Sequence, residues 1–71
     1  MAVWSNKANN AMTGIAQRPE FTNAQLSTFR TDVSNWANAN QGVHSQLFDV
    51  GNYHLRAYAN GNEITNVEIA E

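Results

Sequence analysis

Ser45, Asp49 and His54 are the residue types of a nucleophilic triad, in which an imidazole takes the serine proton and a carboxylate orients the imidazole. The strand pairing derived below sets Asp49 opposite His54 but Ser45 opposite Tyr58, two pairs away from the histidine. No Gly-rich elbow surrounds Ser45 to hold its hydroxyl on a sharp turn. An exposed cross-strand polar pair accounts for Asp49 and His54 without catalysis. His44 and His54, with no cysteine and no clustered carboxylate beside them, match no spacing that builds a tetrahedral metal site, and they read as ordinary surface histidines. Glu63 and Glu68 stand at an odd separation on one strand, which sends them to opposite faces. Gly51 and Gly61 belong to turns, not to a phosphate-cradling loop. Trp4 and Trp36 fall in apolar stripes and read as core. The expectation is a protein that is not an enzyme, with no catalytic, cofactor-binding or metal-ligating residue.

Two helices and three strands must position these groups. Trp4, Ala8, Ala11, Met12 and Ile15 recur at three- and four-residue spacing, which predicts a helix over 3–17, with Pro19 disfavouring helical geometry at Arg18. Thr22 and Gln25 form the pattern of a capping box, and Phe21 and Leu26 flank it as a hydrophobic staple. Leu26, Phe29, Val33, Trp36 and Ala37 continue the stripe, so a second helix is predicted over 23–40, with Gly42 as its stop. Beyond Gly42 the period becomes two. Strands are predicted at Gln46–Val50, Tyr53–Tyr58 and Glu63–Ile69, although 43–50 also fits a helical period.

Gly51-Asn52 suits a two-residue hairpin that pairs Val50 with Tyr53, Phe48 with Leu55 and Gln46 with Ala57. For the second hairpin, a two-residue Asn60-Gly61 loop would turn Val67 and Ile69 away from the core, because one residue of slip reverses every side chain. A three-residue Ala59-Asn60-Gly61 loop instead pairs Tyr58 with Asn62, Leu55 with Thr65 and Tyr53 with Val67, and puts Gly61 in the left-handed position. The expected core face is then Phe48, Val50, Tyr53, Leu55, Ala57, Val67 and Ile69. The expected outer face includes Leu47, Arg56, Tyr58 and Ile64, which are the candidate protein-interface residues. The last strand is a free edge unless something covers it.

The fold class is therefore α+β: one domain spanning 1–71, with two N-terminal helices packed on one face of a three-stranded antiparallel meander. Three helices plus a C-terminal β-hairpin is the alternative. A domain of 71 residues buries only about 60% of the surface its unfolded chain exposes, and the absence of cysteine removes disulfides and thiolate metal sites as compensation.

Charge narrows the function classes. Net charge is -2 and charged residues make up 14% of the chain, against roughly 25% in ordinary soluble domains. Lys7, Arg18, Arg30 and Arg56 are scattered, whereas nucleic-acid binders cluster their bases. No apolar run approaches the roughly 18 residues that span a bilayer, and Met-Ala-Val-Trp-Ser-Asn-Lys lacks the basic start and apolar core of a signal peptide. Asparagine, serine and threonine replace charge, including Ser27, Thr31, Ser34, Asn35 and Asn38 on the second helix. Short neutral side chains need no charge desolvation when a neighbour packs on them. These features point to a small structural or assembly protein, such as a bacteriophage virion component or a minor subunit of another large particle. It would be cytoplasmic before assembly, with other copies or other subunits as partners and neither nucleic acid nor membrane. An inhibitor presenting its outer sheet face or edge strand to a host protein is the alternative, and a helix-turn-helix-like nucleic-acid binder ranks third.

Overall fold

Ser5, not Val3, starts the first helix. In the computed structural model, which describes residues 1–70, the Ser5 hydroxyl accepts a hydrogen bond from the Ala8 N–H at 3.0 Å, satisfying one of the donors that a helix start leaves open. Helix α1 is Asn6–Ala16, shorter at both ends than expected. Val3–Trp4, residue types that favour extended backbone, form strand β1 instead. The Trp4 indole N–H donates to Ser34 Oγ at 3.1 Å, and the Arg30 guanidinium lies over the ring, 4.6 Å from its centroid. Trp4 thus joins the apolar stripe from a strand, held under the second helix.

Helix α2 is Asn23–Ala39, and both hydrogen bonds of its capping box are present. Phe21 and Leu26 are buried, as a staple requires. At the far end the Asn40 side-chain amide donates to the Trp36 carbonyl at 2.6 Å. Strands β2 (Val43–Val50), β3 (Tyr53–Asn60) and β4 (Glu63–Ala70) form the antiparallel meander, so 43–50 is strand. β1 adds to β4 in parallel, with Val3 beside Glu63 and Trp4 beside Ile64. The sheet order is β1-β4-β3-β2. Both helices contribute to one core with the inner sheet face: Ala8, Met12 and Ile15 from α1, Leu26, Phe29, Val33 and Ala37 from α2. The α+β class and the helices on one face of a meander hold, and the short parallel β1 makes the sheet mixed.

The first hairpin has the expected register, from Val50 opposite Tyr53 to Val43 opposite Asn60. The second does not. Its turn is Gly61-Asn62, closing Asn60 on Glu63 and Ala59 on Ile64, and the pairing then shifts so that Tyr58 faces Asn66, Ala57 faces Val67 and Leu55 faces Ile69. Gly51 and Gly61 have φ of 61° and 59°, and Asn52 and Asn62 keep negative φ. This is the turn with glycine at its first central position, whose twist matches the flanking strands.

Thr65 is the extra residue of a β-bulge, and it explains why neither register weighed from sequence was right. Without it the pairing begun at Asn60–Glu63 would place Asn66 opposite Ala57 and Glu68 opposite Leu55, in the core. One inserted residue reverses the alternation. Ile64, before the bulge, and Val67, three residues on, both turn inward, at 0% and 3% exposure. The assignment of Val67 and Ile69 to the inner face is right, and that of Ile64 to the outer face is wrong. The bulge also leaves Glu63 and Glu68 on the same face, not on opposite faces. Tyr53 keeps its inner-face position but remains partly exposed, packed 5.6 Å from Phe21.

Ile64→Ala should cost about 2–5 kcal/mol in urea unfolding, as truncation of a fully buried side chain does, whereas Leu47→Ala should stay within about 0.5 kcal/mol. Equal costs would return Ile64 to the surface.

Candidate functional site

The outer sheet face is built by alternation. β2 contributes Val43, Ser45, Leu47 and Asp49, β3 contributes His54, Arg56 and Tyr58, and β4 contributes Asn66 and Glu68, each row set by the register. Leu47 lies directly opposite Arg56, which in turn lies opposite Glu68. Arg56 Nη1 reaches Ser45 Oγ at 3.4 Å. Of the four candidate interface residues, the structure therefore brings together Leu47, Arg56 and Tyr58, and buries Ile64 on the other side of the sheet.

Tyr58 donates from its hydroxyl to Glu68 Oε1 at 2.5 Å. That hydrogen bond, with desolvation and the carboxylate's negative charge, pushes the Tyr58 phenol above its ordinary value against the opposing pull of Arg56. A third polar contact on this face is the pair Asp49–His54, Oδ1 to Nε2 at 2.9 Å. Ser45 faces Tyr58, not His54, so no nucleophile sits on the imidazole. Among the described residues no three His, Cys, Asp or Glu side chains converge. His44 and His54 cannot share a ligand, because they alternate onto opposite faces. His44 is an inner-side residue and not a free surface histidine. Its Nδ1 lies 2.8 Å from the Gly42 carbonyl oxygen, its ring centroid is 4.5 Å from that of Trp36, and its Nε2 is buried without a partner. At the other end of β2, a groove of about 310 Å³ runs between α2 and β2, lined by Ala24, Thr28 and Phe29 on one wall and Phe48 and Val50 on the other.

β2 is an open edge along its whole length, whereas the last strand is covered by a strand only at its start. β1 covers the start of β4, with the Ser5 N–H donating to the Ile64 carbonyl at 3.0 Å. Among the described residues β2 ends the sheet and has no strand on its far side. Strand geometry tells which backbone groups it leaves open. A two-residue hairpin makes Val50–Tyr53 a hydrogen-bonded pair, and such pairs alternate along the ladder. Gly61 N–H donating to Gly42 O at 2.8 Å places the other end of the ladder in the same phase. The N–H and C=O groups of Val50, Phe48, Gln46 and His44 thus point to β3, and those of Val43, Ser45, Leu47 and Asp49 point outward. On the same four residues sit two of the large exposed apolar side chains, Val43 at 85% and Leu47 at 45%. Val43 lies before the strand that the sequence predicts from Gln46, and so outside the candidates read from sequence.

No helix among the described residues is long and apolar enough to cross a membrane. No protein-family model, curated protein or solved structure matches the chain.

In a Tyr53→Phe background, absorbance titration of the remaining tyrosine should place Tyr58 above the ordinary value of about 10, and Glu68→Gln should bring it back down. The sign follows from the neutral phenol being the donor. Its contribution to stability is present below the unfolded-state value and is lost as pH rises through the raised folded one.

Proposed function

We propose that this protein is a small non-enzymatic assembly subunit, of the kind found as a minor component of a bacteriophage virion or another large particle. The observation that supports this most is the β2 edge. It is an eight-residue strand whose one acidic side chain is Asp49, with no lysine, no proline and, among the described residues, no covering strand. Next to it the outer face offers Leu47 with Arg56 and Tyr58, and the latter two residue types are enriched at protein interfaces. The exposed side of α2 carries Ser27, Thr28, Thr31, Asn35 and Asn38, neutral groups that a neighbouring subunit can cover without desolvating charge.

The same edge favours, as a second reading, a regulator that adds its strand to a sheet of one target protein. A nucleic-acid role has less support. Arg30, the one basic residue of α2, lies over Trp4 and donates to Asn9 Oδ1 at 3.2 Å, which leaves Asp32 as the charge on the exposed side of that helix.

Mass measurement on the purified protein and on complexes captured from its native source separates the readings. Self-association or co-purification with particle proteins is the expected result. One stoichiometric host enzyme would favour the regulator, and a monomer without any partner at high concentration would defeat both.

A further inference from the structure

The open side of β2 is complementary to itself. Its outward-pointing backbone groups belong to Val43, Ser45, Leu47 and Asp49, evenly spaced about Gln46. Rotating a second copy by half a turn about an axis through Gln46, perpendicular to the sheet, lays the two β2 strands antiparallel. Val43 then faces Asp49 of the second copy and Ser45 faces its Leu47, and each relation is repeated by symmetry. Every one of the open N–H and C=O groups on the four residues finds a partner in the other strand. Other symmetric registers leave some of these groups at the strand ends unpaired.

We infer that the protein forms a symmetric dimer through antiparallel β2–β2 pairing centred on Gln46, which joins two four-stranded sheets into one. This rests on the assembly reading and names its first partner as a second copy of the chain.

Side chains agree with the register. Asp49, the one acid on β2, opposes Val43 of the partner copy and not a second Asp49, so no like charges meet across the seam. On the outer face Leu47 lies diagonal to both Leu47 and Val43 of the other copy, gathering the exposed apolar groups of both β2 strands into one strip. On the inner face Gln46, exposed in the single chain, meets the second Gln46, and amides can both donate and accept. His44 meets Phe48 of the second copy. Trp36 stands 4.5 Å from His44 and 5.6 Å from Phe48, and Phe48 stands 5.6 Å from Phe29. The aromatic row along the α2 side of β2 therefore continues across the dimer axis.

The test uses the whole chain in solution. Sedimentation should give twice the chain mass. Ser45→Pro removes an N–H that points away from β3, and a proline is tolerated at such an edge position, so this variant should keep the far-ultraviolet spectrum of the fold and sediment as a monomer. The chain has no cysteine, which allows the register to be read by cross-linking. Gln46 of each copy forms a pair without backbone hydrogen bonds, with Cα atoms about 4.5 Å apart, inside the disulfide range of roughly 4.4–6.8 Å. Oxidised Gln46→Cys should become a covalent dimer. Val43→Cys, separated from its copy by about 20 Å along the strands, should not. The cross-linking stands independently of whether Ser45→Pro folds. A wild-type chain that stays monomeric while co-purifying with particle proteins would overturn the dimer and leave the assembly reading standing. Self-association unaffected by Ser45→Pro, or cross-linking through Val43→Cys in place of Gln46→Cys, would overturn the β2 pairing alone. A monomer with no partner would overturn both.

Discussion

One extra residue in β4 reconciles two demands that an unbroken strand cannot meet. Ile64 must face the core where β1 and α1 close over the sheet, and Val67 and Ile69 must face it further along. The separation between Ile64 and Val67 is odd, and a regular strand would send them to opposite sides. The bulge at Thr65 absorbs the difference, keeping Asn66 and Glu68 in solvent and both Ile64 and Val67 buried. The outer face of β4 beyond the bulge takes its position from that insertion, including the approach of Glu68 to Tyr58.

β1 depends on the same region. It pairs with Glu63 and Ile64, the part of β4 that precedes the bulge, and its Trp4 is held by Ser34 and covered by Arg30. The Ser5 hydroxyl both caps α1 and donates to the Thr65 carbonyl at 3.2 Å, linking the helix start to the bulged residue itself. β1 is committed to β4, and among the described residues no strand lies beyond β2 on the opposite side of the sheet.

A domain of this size without disulfides has a thin stability margin. An exposed strand edge is a liability for a protein that works alone and an asset for one that works in contact with others. The low charge content has the same two sides, since it weakens solubility and lowers the cost of burying surface against a neighbour. Both features fit the proposed assembly subunit.

Much of this was legible in the residues. The capping box and staple at Thr22, Gln25, Phe21 and Leu26 are local interactions, complete within one helical turn, and they define the start of α2 without reference to the rest of the molecule. The first hairpin is equally local, because a two-residue Gly-Asn turn leaves a single register for the strands it joins. Leu47, Arg56 and Tyr58 could therefore be assigned to the outer face from sequence. What could not be read were choices between nearly equal local states. Trp4 fits a helical stripe as well as a strand, and pairing with β4 decides it. Ile64 follows a glycine turn compatible with several registers, and only the competition of Ile64, Val67 and Ile69 for one core selects the bulge. The sequence by itself determined the two helices, the meander and the inner faces of β2 and β3, because those rest on contacts close along the chain. Tertiary structure alone decided the burial of Ile64 and the parallel β1, because the first is set by competition for one core and the second by segments sixty residues apart meeting across the sheet.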